Sequence, residues 1–397
     1  MKKISFISNM LVVIYFITSL YYILVINNAP SGDEGYFIFE IKKTIQEGFI
    51  ESIKSNISIP FVMVNYLPYK YLGLIGIKLT NSLMVLLFLA YIFKRTGSFK
   101  NVVYMMFYMA TVLFFFKGIN DTIFSLSLSV FFIEAYYLIT NKSSSVSKAF
   151  FFLIIAFFTR ELIIIFIPII IPILYLILRN HKLKMREILP ISMVLIFFLI
   201  INIPSIQANN SLSYDKKESS GNIKSNWVQR QYLSQLRVNE NKLQRGNHVS
   251  WNEVDAYLIK YGENSLPANS YKALTHDYIL TAKEFFKDFF ITCILSVRQI
   301  GIVYLLLFLI AMKSIKDKKF NLLLNYKLMI LLYSVFTFSF IIISNVELRW
   351  LAPAFIITLV PIPNHIFKNK YLLYNNLIIC LMTLYGLFKL LPRFNFS

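Results

Sequence analysis

The stretch SKAFFFLIIAFFTRELIIIFIPIIIPILYLIL, residues 147–178, determines how the rest of the chain is interpreted. It is either one very long membrane helix or two short helices separated by a turn at Thr159-Arg160-Glu161. Cytoplasmic loops of membrane proteins carry an excess of Lys and Arg. Two helices keep the basic clusters before and after this stretch on one membrane face, whereas a single helix would move every later cluster to the other face. We therefore predict two helices and an outward-facing turn.

The composition points to a membrane protein. The 397 residues are 57% hydrophobic and 15% charged, whereas soluble chains have about 25% charged residues. This excludes a soluble globular enzyme, a disordered tail and a disulfide scaffold. The formal net charge of +20 would suggest nucleic acid in a soluble protein, but basic cytoplasmic loops explain it here, so no nucleic-acid partner is expected. Cys293 and Cys380 lie in apolar stretches without CxxC spacing and predict no metal cluster.

Nine further apolar stretches have about the length that a bilayer crossing demands. With the pair at 147–158 and 162–178 they predict an all-α fold of about eleven spans, with the N-terminus in the cytoplasm and the C-terminus outside. The nine stretches lie near residues 4–26, 77–93, 102–116, 122–140, 188–203, 288–312, 325–343, 350–366 and 372–391.

This topology places the sizeable polar segments outside the membrane. Residues 1–203 form an N-terminal transmembrane module whose first outer loop is 27–76, residues 204–286 form an extracytoplasmic cap, and residues 287–397 form the C-terminal membrane helices. Apolar residues at four-residue steps over 37–53 predict an interfacial helix. Ser250 and Glu253 predict a capping box in a helical cap. The cytoplasmic loops are too short for a nucleotide-binding domain, so no nucleotide cofactor is expected.

Ionisable residues at membrane depth are costly, which makes each a functional candidate. Carboxylates can deprotonate a hydroxyl or bind a divalent cation, and the guanidinium fork suits phosphate. Five groups on the predicted outer face stand out: Asp33-Glu34 with Tyr36, Lys117 with Asp121, Arg160-Glu161, Arg298, and Glu347 with Arg349-Trp350.

Each group also has a structural interpretation. Asp33 and Asp121 can cap helices, because acids favour the first turn. Ion pairs can close the turns at Arg160-Glu161 and at Glu347. Long basic side chains such as Lys117 and Arg298 can reach lipid headgroups.

The order of these motifs resembles the GT-C superfamily of integral-membrane glycosyltransferases, which take sugars from polyprenyl phosphates. The resembling parts are Gly32-Asp33-Glu34-Gly35-Tyr36, the aromatic stretch after Ile59-Pro60, Asn120-Asp121, Thr159-Arg160-Glu161 and Glu347-Leu348-Arg349-Trp350-Leu351-Ala352-Pro353. Two positions depart from the family pattern. Trp350 stands where Tyr is usual, and Glu161 stands where an uncharged residue is more common. The likeness covers residues 1–180 and about 340–360.

The resemblance implies a GT-C-like fold in the inner (cytoplasmic) membrane and an inverting transfer on its outer face. A sugar would pass from a polyprenyl-phosphate donor to an envelope glycan or lipid acceptor. Asp33 would act as the base, with Glu34 and Asp121 positioning the acceptor or a metal. Arg160 and Arg349 would hold the donor phosphate. Lys117 and Arg298 would be further phosphate ligands. Asp33 and Asp121 would be the ligands of any Mg²⁺ or Mn²⁺. The supporting residues would be Tyr36, Glu161, Glu347 and Trp350.

Two alternatives remain open at this point. An O-antigen or capsule polymerase would use a polyprenyl-diphosphate oligosaccharide, and an arginine-rich large loop would favour it. That loop holds Arg230, Arg237 and Arg245 among acidic residues, so its composition does not decide between the transferase and the polymerase. A lipid-linked sugar flippase or transporter would have charges near the bilayer midplane and paired half-repeats. Here the charges gather at one edge and no repeat is evident.

Overall fold

The computed structural model describes most of the chain. The described residues are 2–27, 29–140, 145–181, 184–215, 217, 219, 221, 223–317, 322–341, 346–360 and 369–394. Within them the secondary structure is helical, with no β-strand. The all-α prediction is therefore confirmed for this part of the chain. The end of the predicted span 325–343 and the residues of 350–366 beyond Val360 lie outside the described residues.

Ten α-helices precede the large loop. They are α1 (Lys2–Tyr21), α2 (Glu34–Glu47), α3 (Phe49–Lys54), α4 (Ile59–Leu72), α5 (Leu74–Thr96), α6 (Phe99–Val112), α7 (Asp121–Ile139), α8 (Val146–Thr159), α9 (Ile163–Asn180) and α10 (Met185–Asn209).

Eight α-helices follow in the described residues of the second half. They are α11 (Trp227–Asn239), α12 (Trp251–Tyr261), α13 (Ser270–His276), α14 (Tyr278–Ile300), α15 (Val303–Lys316), α16 (Leu322–Ser339), α17 (Ala352–Leu359) and α18 (Asn369–Leu390).

Six helical stretches of the described residues are long and apolar enough to cross a membrane. This supports a membrane protein, while the count of eleven crossings stays a prediction. The six stretches are Phe6–Ile26, Leu74–Thr96, Asp121–Ile139, Ile163–Asn180, Met185–Asn209 and Leu373–Arg393.

The contacts divide the chain into two units. The first comprises Met1–Asp215, Val297–Leu331 and Ala352–Ser397, and the second comprises Lys216–Ser296 and Leu332–Leu351. The late motif around Arg349 therefore belongs to the second unit, together with the large loop.

Helix α7 is the centre of the first unit. Its side chains are almost all buried, Phe131 and Phe132 among them, and it packs against α5, α8, α9 and α17. A helix that is apolar all round belongs in the interior. Because α7 is central, charged groups from several other helices meet at its two ends.

The predicted break within residues 147–178 is confirmed. Helix α8 ends at Thr159 and α9 begins at Ile163. At one end of α7, the ring Nε2 of His181 lies 2.8 Å from the carbonyl oxygen of Leu138, and Glu134 forms an ion pair with Lys148 at 2.9 Å. The basic ends of α8 and α9 therefore lie on one side, as the charge argument requires.

The predicted span 288–312 is not one helix but parts of α14 and α15. Helix α14 begins ten residues earlier, at Tyr278, and ends at Ile300. Gly301 then has a φ of +69°, and a Cβ there would lie 2.4 Å from Oδ1 of Asn375. That same oxygen accepts a hydrogen bond from the amide of Ile302 at 3.0 Å. Glycine permits both the left-handed backbone and the close approach. The apolar run 288–312 is therefore interrupted at Gly301 and does not form one helix.

The predicted interfacial helix over 37–53 is also two helices, because Gly48 has a φ of +89° between α2 and α3. Phe37, Ile41 and Ile53 are buried as the apolar stripe predicts, whereas Ile45 is exposed. The left-handed turn at Gly48 resets the helical register.

The large loop is helical, as predicted, and has a core of its own. Tyr232 and Leu233 of α11 pack with Val254 and Leu258 of α12 and with Leu266. Burial of these apolar side chains is the main source of stability for such a small unit.

Only half of the predicted capping box forms. Ser250 Oγ accepts a hydrogen bond from the amide of Glu253 at 3.2 Å. The Glu253 carboxylate accepts from Arg237 Nε at 3.0 Å, and this charge-assisted bond takes the place of the reciprocal bond to the cap.

Candidate functional site

Glu34 connects two of the predicted outer turns. Its side chain is fully buried. Oε2 accepts hydrogen bonds from the amide and the hydroxyl of Ser31, at 2.9 and 3.0 Å. Oε1 accepts from the amide of Gly118 at 2.8 Å. The turn that carries Asp33 and Glu34 is thereby fixed against the turn that precedes Asp121.

Lys78, which the sequence reasoning missed, supplies a positive charge beside Glu34. Its Nζ lies 3.8 Å from Glu34 Oε1, and both side chains are buried. The ammonium also donates to the carbonyl oxygen of Asn27. Lys78 lies at the start of the long apolar helix α5, so its sequence context resembles a flanking residue. Its role is visible only from the three-dimensional contact.

Lys117 lies in the same cluster. Its Nζ donates to the Ser31 hydroxyl at 3.0 Å, and its carbonyl oxygen accepts from Asn81 Nδ2. Asn81 Nδ2 also donates to the carbonyl oxygen of Ile119 at 3.1 Å. The half-buried Lys117 is therefore directed toward Ser31, in the turn that carries Asp33 and Glu34, and not outward as the lipid-headgroup interpretation expects.

Asp121 and Arg160 form a buried ion pair across the next two turns. Asp121 is the first residue of α7, and Arg160 follows the last residue of α8. Their side chains contact each other, Asp121 Oδ1 to Arg160 Nη1. The hydroxyl of Ser58 donates to the carbonyl oxygen of Thr159 at 2.8 Å and holds this turn in place. Removing either partner of such a pair leaves an uncompensated buried charge.

A further acid approaches this pair from the start of the large loop. Asn120 Nδ2 donates to Asp215 Oδ1 at 3.1 Å. The neighbouring Tyr214 donates its hydroxyl to the carbonyl oxygen of Phe157 at 2.9 Å. Burial, and then the negative charge of Glu161, raise the pKa of the Tyr214 hydroxyl. No motif singled out Asp215 in the sequence, because residues 204–286 matched no known pattern.

Asp33 and Tyr36 flank Glu34. Asp33 is half-buried at the N-cap position of α2, and its side chain makes no capping hydrogen bond there. Of the structural interpretation, only the favourable placement of its charge at the helix N-terminus remains. The Tyr36 ring packs edge-on against Phe37 at 5.6 Å.

Arg298 has different neighbours from those turns. It lies in the last turn of α14, with its guanidinium 5.4 Å from the ring centre of Tyr385 in α18. Its side chain is exposed. This fits a cation that faces lipid or an anionic group within lipid.

The late motif is part of the second unit. Arg349 Nε donates to the carboxylate of Glu347, so an ion pair does close this turn. Trp350 is buried and packs 5.8 Å from the ring of Phe338. That Arg349 joins Asp33, Asp121 and Arg160 in one site stays a prediction.

The described residues do not fit a divalent-cation site at the predicted acids. Within them, no group of three or more His, Cys, Asp or Glu side chains could hold a metal ion. Asp121, one of the two predicted ligands, contacts the Arg160 guanidinium.

Comparison with protein families, with curated proteins and with solved structures found no match to this chain. The first unit brings three sequence-distant turns together, with acids and cations side by side. Such a site can accept a proton from a hydroxyl and bind an oxyanion.

Proposed function

We propose that this protein is a GT-C-type glycosyltransferase. It moves a sugar from a polyprenyl phosphate to an envelope glycan or lipid acceptor, on the outer face of the inner membrane. One observation supports this most: the contacts from Glu34 to Gly118 and from Asp121 to Arg160 link the three turns in which the resemblance expects acid and arginine.

The proposed reaction is a single displacement with inversion. The acceptor hydroxyl attacks the anomeric carbon, its proton passes to Asp33, and the bond from that carbon to the phosphate oxygen breaks. The polyprenyl phosphate leaves with the electron pair. General-base help of this kind contributes typically 10²–10⁴-fold.

The structure suggests separate roles for the two acids of the first turn. Glu34 is buried and accepts hydrogen bonds from Ser31 and Gly118, so in the proposal it positions the two turns. Asp33 is half-buried and closer to solvent, which suits a group that must reach an entering hydroxyl. Arg160, oriented by Asp121, binds the departing phosphate.

The polymerase alternative stays open. Arg237 forms ion pairs with Glu240 and Glu253, at 2.9 and 3.0 Å, and Arg245 forms one with Asp288 at 2.9 Å. Arg230, the third loop arginine, has no carboxylate partner in the described part of the second unit, so the loop does not decide between the two reactions.

The test uses the purified full-length chain in liposomes. Polyprenyl-phosphate monosaccharides of several common sugars serve as donors, and a bacterial envelope lipid extract serves as acceptor. Release of free polyprenyl phosphate is followed by mass spectrometry. Asp33→Asn should reduce turnover by about 100-fold or more, because the base is lost.

The matched control is Glu47→Gln. Glu47 is an exposed acid at the far end of the same helix, paired with Lys43 at 3.6 Å, and its loss should leave turnover unchanged. Wild-type turnover by Asp33→Asn would contradict the base assignment. In intact cells, a cysteine at the exposed Lys224 should react with an impermeant reagent added from outside. Reaction only from the cytoplasmic side would contradict the proposed topology.

A further inference from the structure

The three arginines of the large loop differ in their partners. Arg237 and Arg245 have carboxylate partners within 3.0 Å. Arg230, two turns before Arg237 on α11, has no carboxylate at ion-pair distance among the residues described in the second unit. Burial lowers the pKa of the Arg230 guanidinium, so this cation is partly desolvated without an internal counter-ion.

Arg230 is held in one orientation by its surroundings. Its Nε donates to the carbonyl oxygen of Val249 at 2.7 Å. Its Cζ lies 4.8 Å from the ring centre of Trp251 and 5.2 Å from that of Trp227. The terminal nitrogens, Nη1 and Nη2, have no hydrogen-bond acceptor in the described part of this unit. A guanidinium stacked on aromatic rings with both terminal nitrogens available is arranged for a carboxylate or a phosphate.

Two of the three tryptophans in the chain lie next to the Arg230 guanidinium. Trp227 and Trp251 are the first residues of α11 and α12, and their ring centres lie 6.2 Å apart at 56°. The cap residue before each fixes the backbone: the Asn226 side chain accepts from the amide of Gln229 at 3.1 Å, and Ser250 accepts from that of Glu253.

Two further polar groups border the Trp227 indole. The His248 ring lies 5.0 Å from that of Trp227, and Lys217 Nζ lies 5.4 Å from the same ring. Both tryptophans are half-buried, so part of each ring remains accessible. We call Trp227, Arg230, His248 and Trp251 the tryptophan–arginine surface. Flat aromatic rings pack against the C–H faces of sugar rings, and the adjacent Arg230 guanidinium favours an anionic substituent.

Arg237 shows what an arginine with a structural role looks like in the same unit. It too lies over an aromatic ring, with Cζ 5.9 Å from the ring centre of Tyr257. Its guanidinium, however, pairs with Glu240 and Glu253. The lack of such partners at Arg230 is therefore a specific property of that position, not a general property of arginines in the loop.

We propose that the tryptophan–arginine surface binds an acidic sugar, one that bears a carboxylate or a phosphate. The indoles contact the sugar ring, and the two free Arg230 nitrogens bind the acidic group. The sugar belongs to the glycan substrate of the transferase; this last step alone rests on the proposed function.

The experiment measures tryptophan fluorescence of the full chain in detergent, on a Trp350→Phe background that leaves Trp227 and Trp251 as reporters. The probes are a galacturonic acid tetramer, the matched galactose tetramer, glucose 6-phosphate, glucose and, as the membrane control, vesicles of anionic phospholipid. We expect the acidic member of at least one pair to bind tenfold or more tightly than its neutral counterpart, and the pair that responds identifies carboxylate or phosphate. Arg230→Gln should weaken this binding at least tenfold.

Arg237→Gln is the matched control. It removes two ion pairs from the same helix and should leave acidic-sugar affinity within twofold, even where it lowers thermal stability. Equal affinity for acidic and neutral probes would overturn the proposal. So would equal losses in both arginine variants, or a response only to vesicles of anionic phospholipid, which would mark a membrane contact.

The outcome separates this inference from the proposed function. Selective binding of an acidic sugar by a chain without transferase turnover would leave the surface standing and remove the proposed reaction. Normal acceptor KM and kcat in Arg230→Gln, together with unchanged fluorescence titrations, would do the reverse.

Discussion

At one end of α7, the carboxylate of Asp121 contacts the guanidinium of Arg160. Thirteen residues along, about 20 Å at the α-helical rise, the carboxylate of Glu134 lies 3.0 Å from Arg95 and 2.9 Å from Lys148. Both acids are about 1% exposed. The same helix thus buries a charged group at two levels, and the partners differ.

The contacts around Glu134 have a structural role. Two cations from the predicted cytoplasmic ends of α5 and α8 share one carboxylate, and the Tyr91 hydroxyl donates to the same group at 2.7 Å. The Arg95 guanidinium stacks 3.9 Å from the Tyr137 ring centre. These contacts join three helices through side chains from regular secondary structure.

The Asp121 end is built from turns. Arg160 belongs to the break between α8 and α9, and the adjacent Asn120 contacts Asp215. Turns can place a charged group at a surface where a substrate enters, because their residues are not committed to helix packing. The comparison suggests that Glu134 stabilises the bundle, whereas Asp121 and Arg160 serve the proposed chemistry.

Glu134→Gln should give the largest loss of stability. It leaves Arg95 and Lys148 close together without their counter-charge, and breaking a buried pair typically costs 3–5 kcal/mol. Since Lys148 is 39% exposed on its side chain, we expect about 3 kcal/mol. The free energy of unfolding, measured by denaturant titration in detergent, checks this. Turnover per folded molecule should stay within twofold. A selective loss of turnover would contradict a purely structural role for Glu134.

Asp121→Asn should lower stability as well, because it leaves Arg160 without its counter-charge, but unlike Glu134→Gln it should also lower turnover per folded molecule. Turnover should fall by about 100-fold, equivalent to about 2.7 kcal/mol in the barrier, because Arg160 loses the group that orients it toward the phosphate. The swap Asp121→Arg with Arg160→Asp restores the ion pair but not the site. Recovery of turnover by the swap would show that this pair, like Glu134, only holds helices together.

Much of this arrangement could be predicted from the sequence, and particular residues show which contacts could not. The break at Thr159-Arg160-Glu161 was predictable because the excess of Lys and Arg lies in the loops that flank the two helices. Asp121 and Arg160 were predictable as candidates because each interrupts an apolar run at a turn. Their contact depends on how α7 and α8 pack, and that information is spread over many apolar residues.

The missed residues were hidden by their context. Glu134 lies inside the apolar run FFIEAYYLI, and its partners Arg95 and Lys148 looked like ordinary flanking cations. Lys78 lies at the start of the long apolar helix α5. The end of α14 at Gly301 depends on the side chain of Asn375, 74 positions later, which no local pattern encodes.

Lys78→Met tests whether the turn at Asp33-Glu34 behaves like either end of α7. The variant leaves Glu34 buried without the cation at 3.8 Å, although Ser31 and Gly118 still donate to it. We expect a loss of about 2 kcal/mol in unfolding free energy, less than for Glu134→Gln, because hydrogen bonds to a charged group are worth about 1.5–3 kcal/mol each and three remain. Adding Glu34→Gln should recover part of the loss; an additive further loss would contradict charge compensation between the two residues.

The smallest expected effect comes from comparing two tyrosines, one near each end of α7. Tyr91→Phe removes a hydrogen bond to the ionised Glu134, and Tyr214→Phe removes one to the neutral carbonyl oxygen of Phe157. Bonds to charged groups are worth about 1.5–3 kcal/mol and neutral ones about 1 kcal/mol. Denaturant titrations of both variants should therefore place Tyr91→Phe about 1 kcal/mol below Tyr214→Phe. Equal losses would mean that the Tyr91 hydroxyl adds nothing to the charge balance that Arg95 and Lys148 already provide around Glu134.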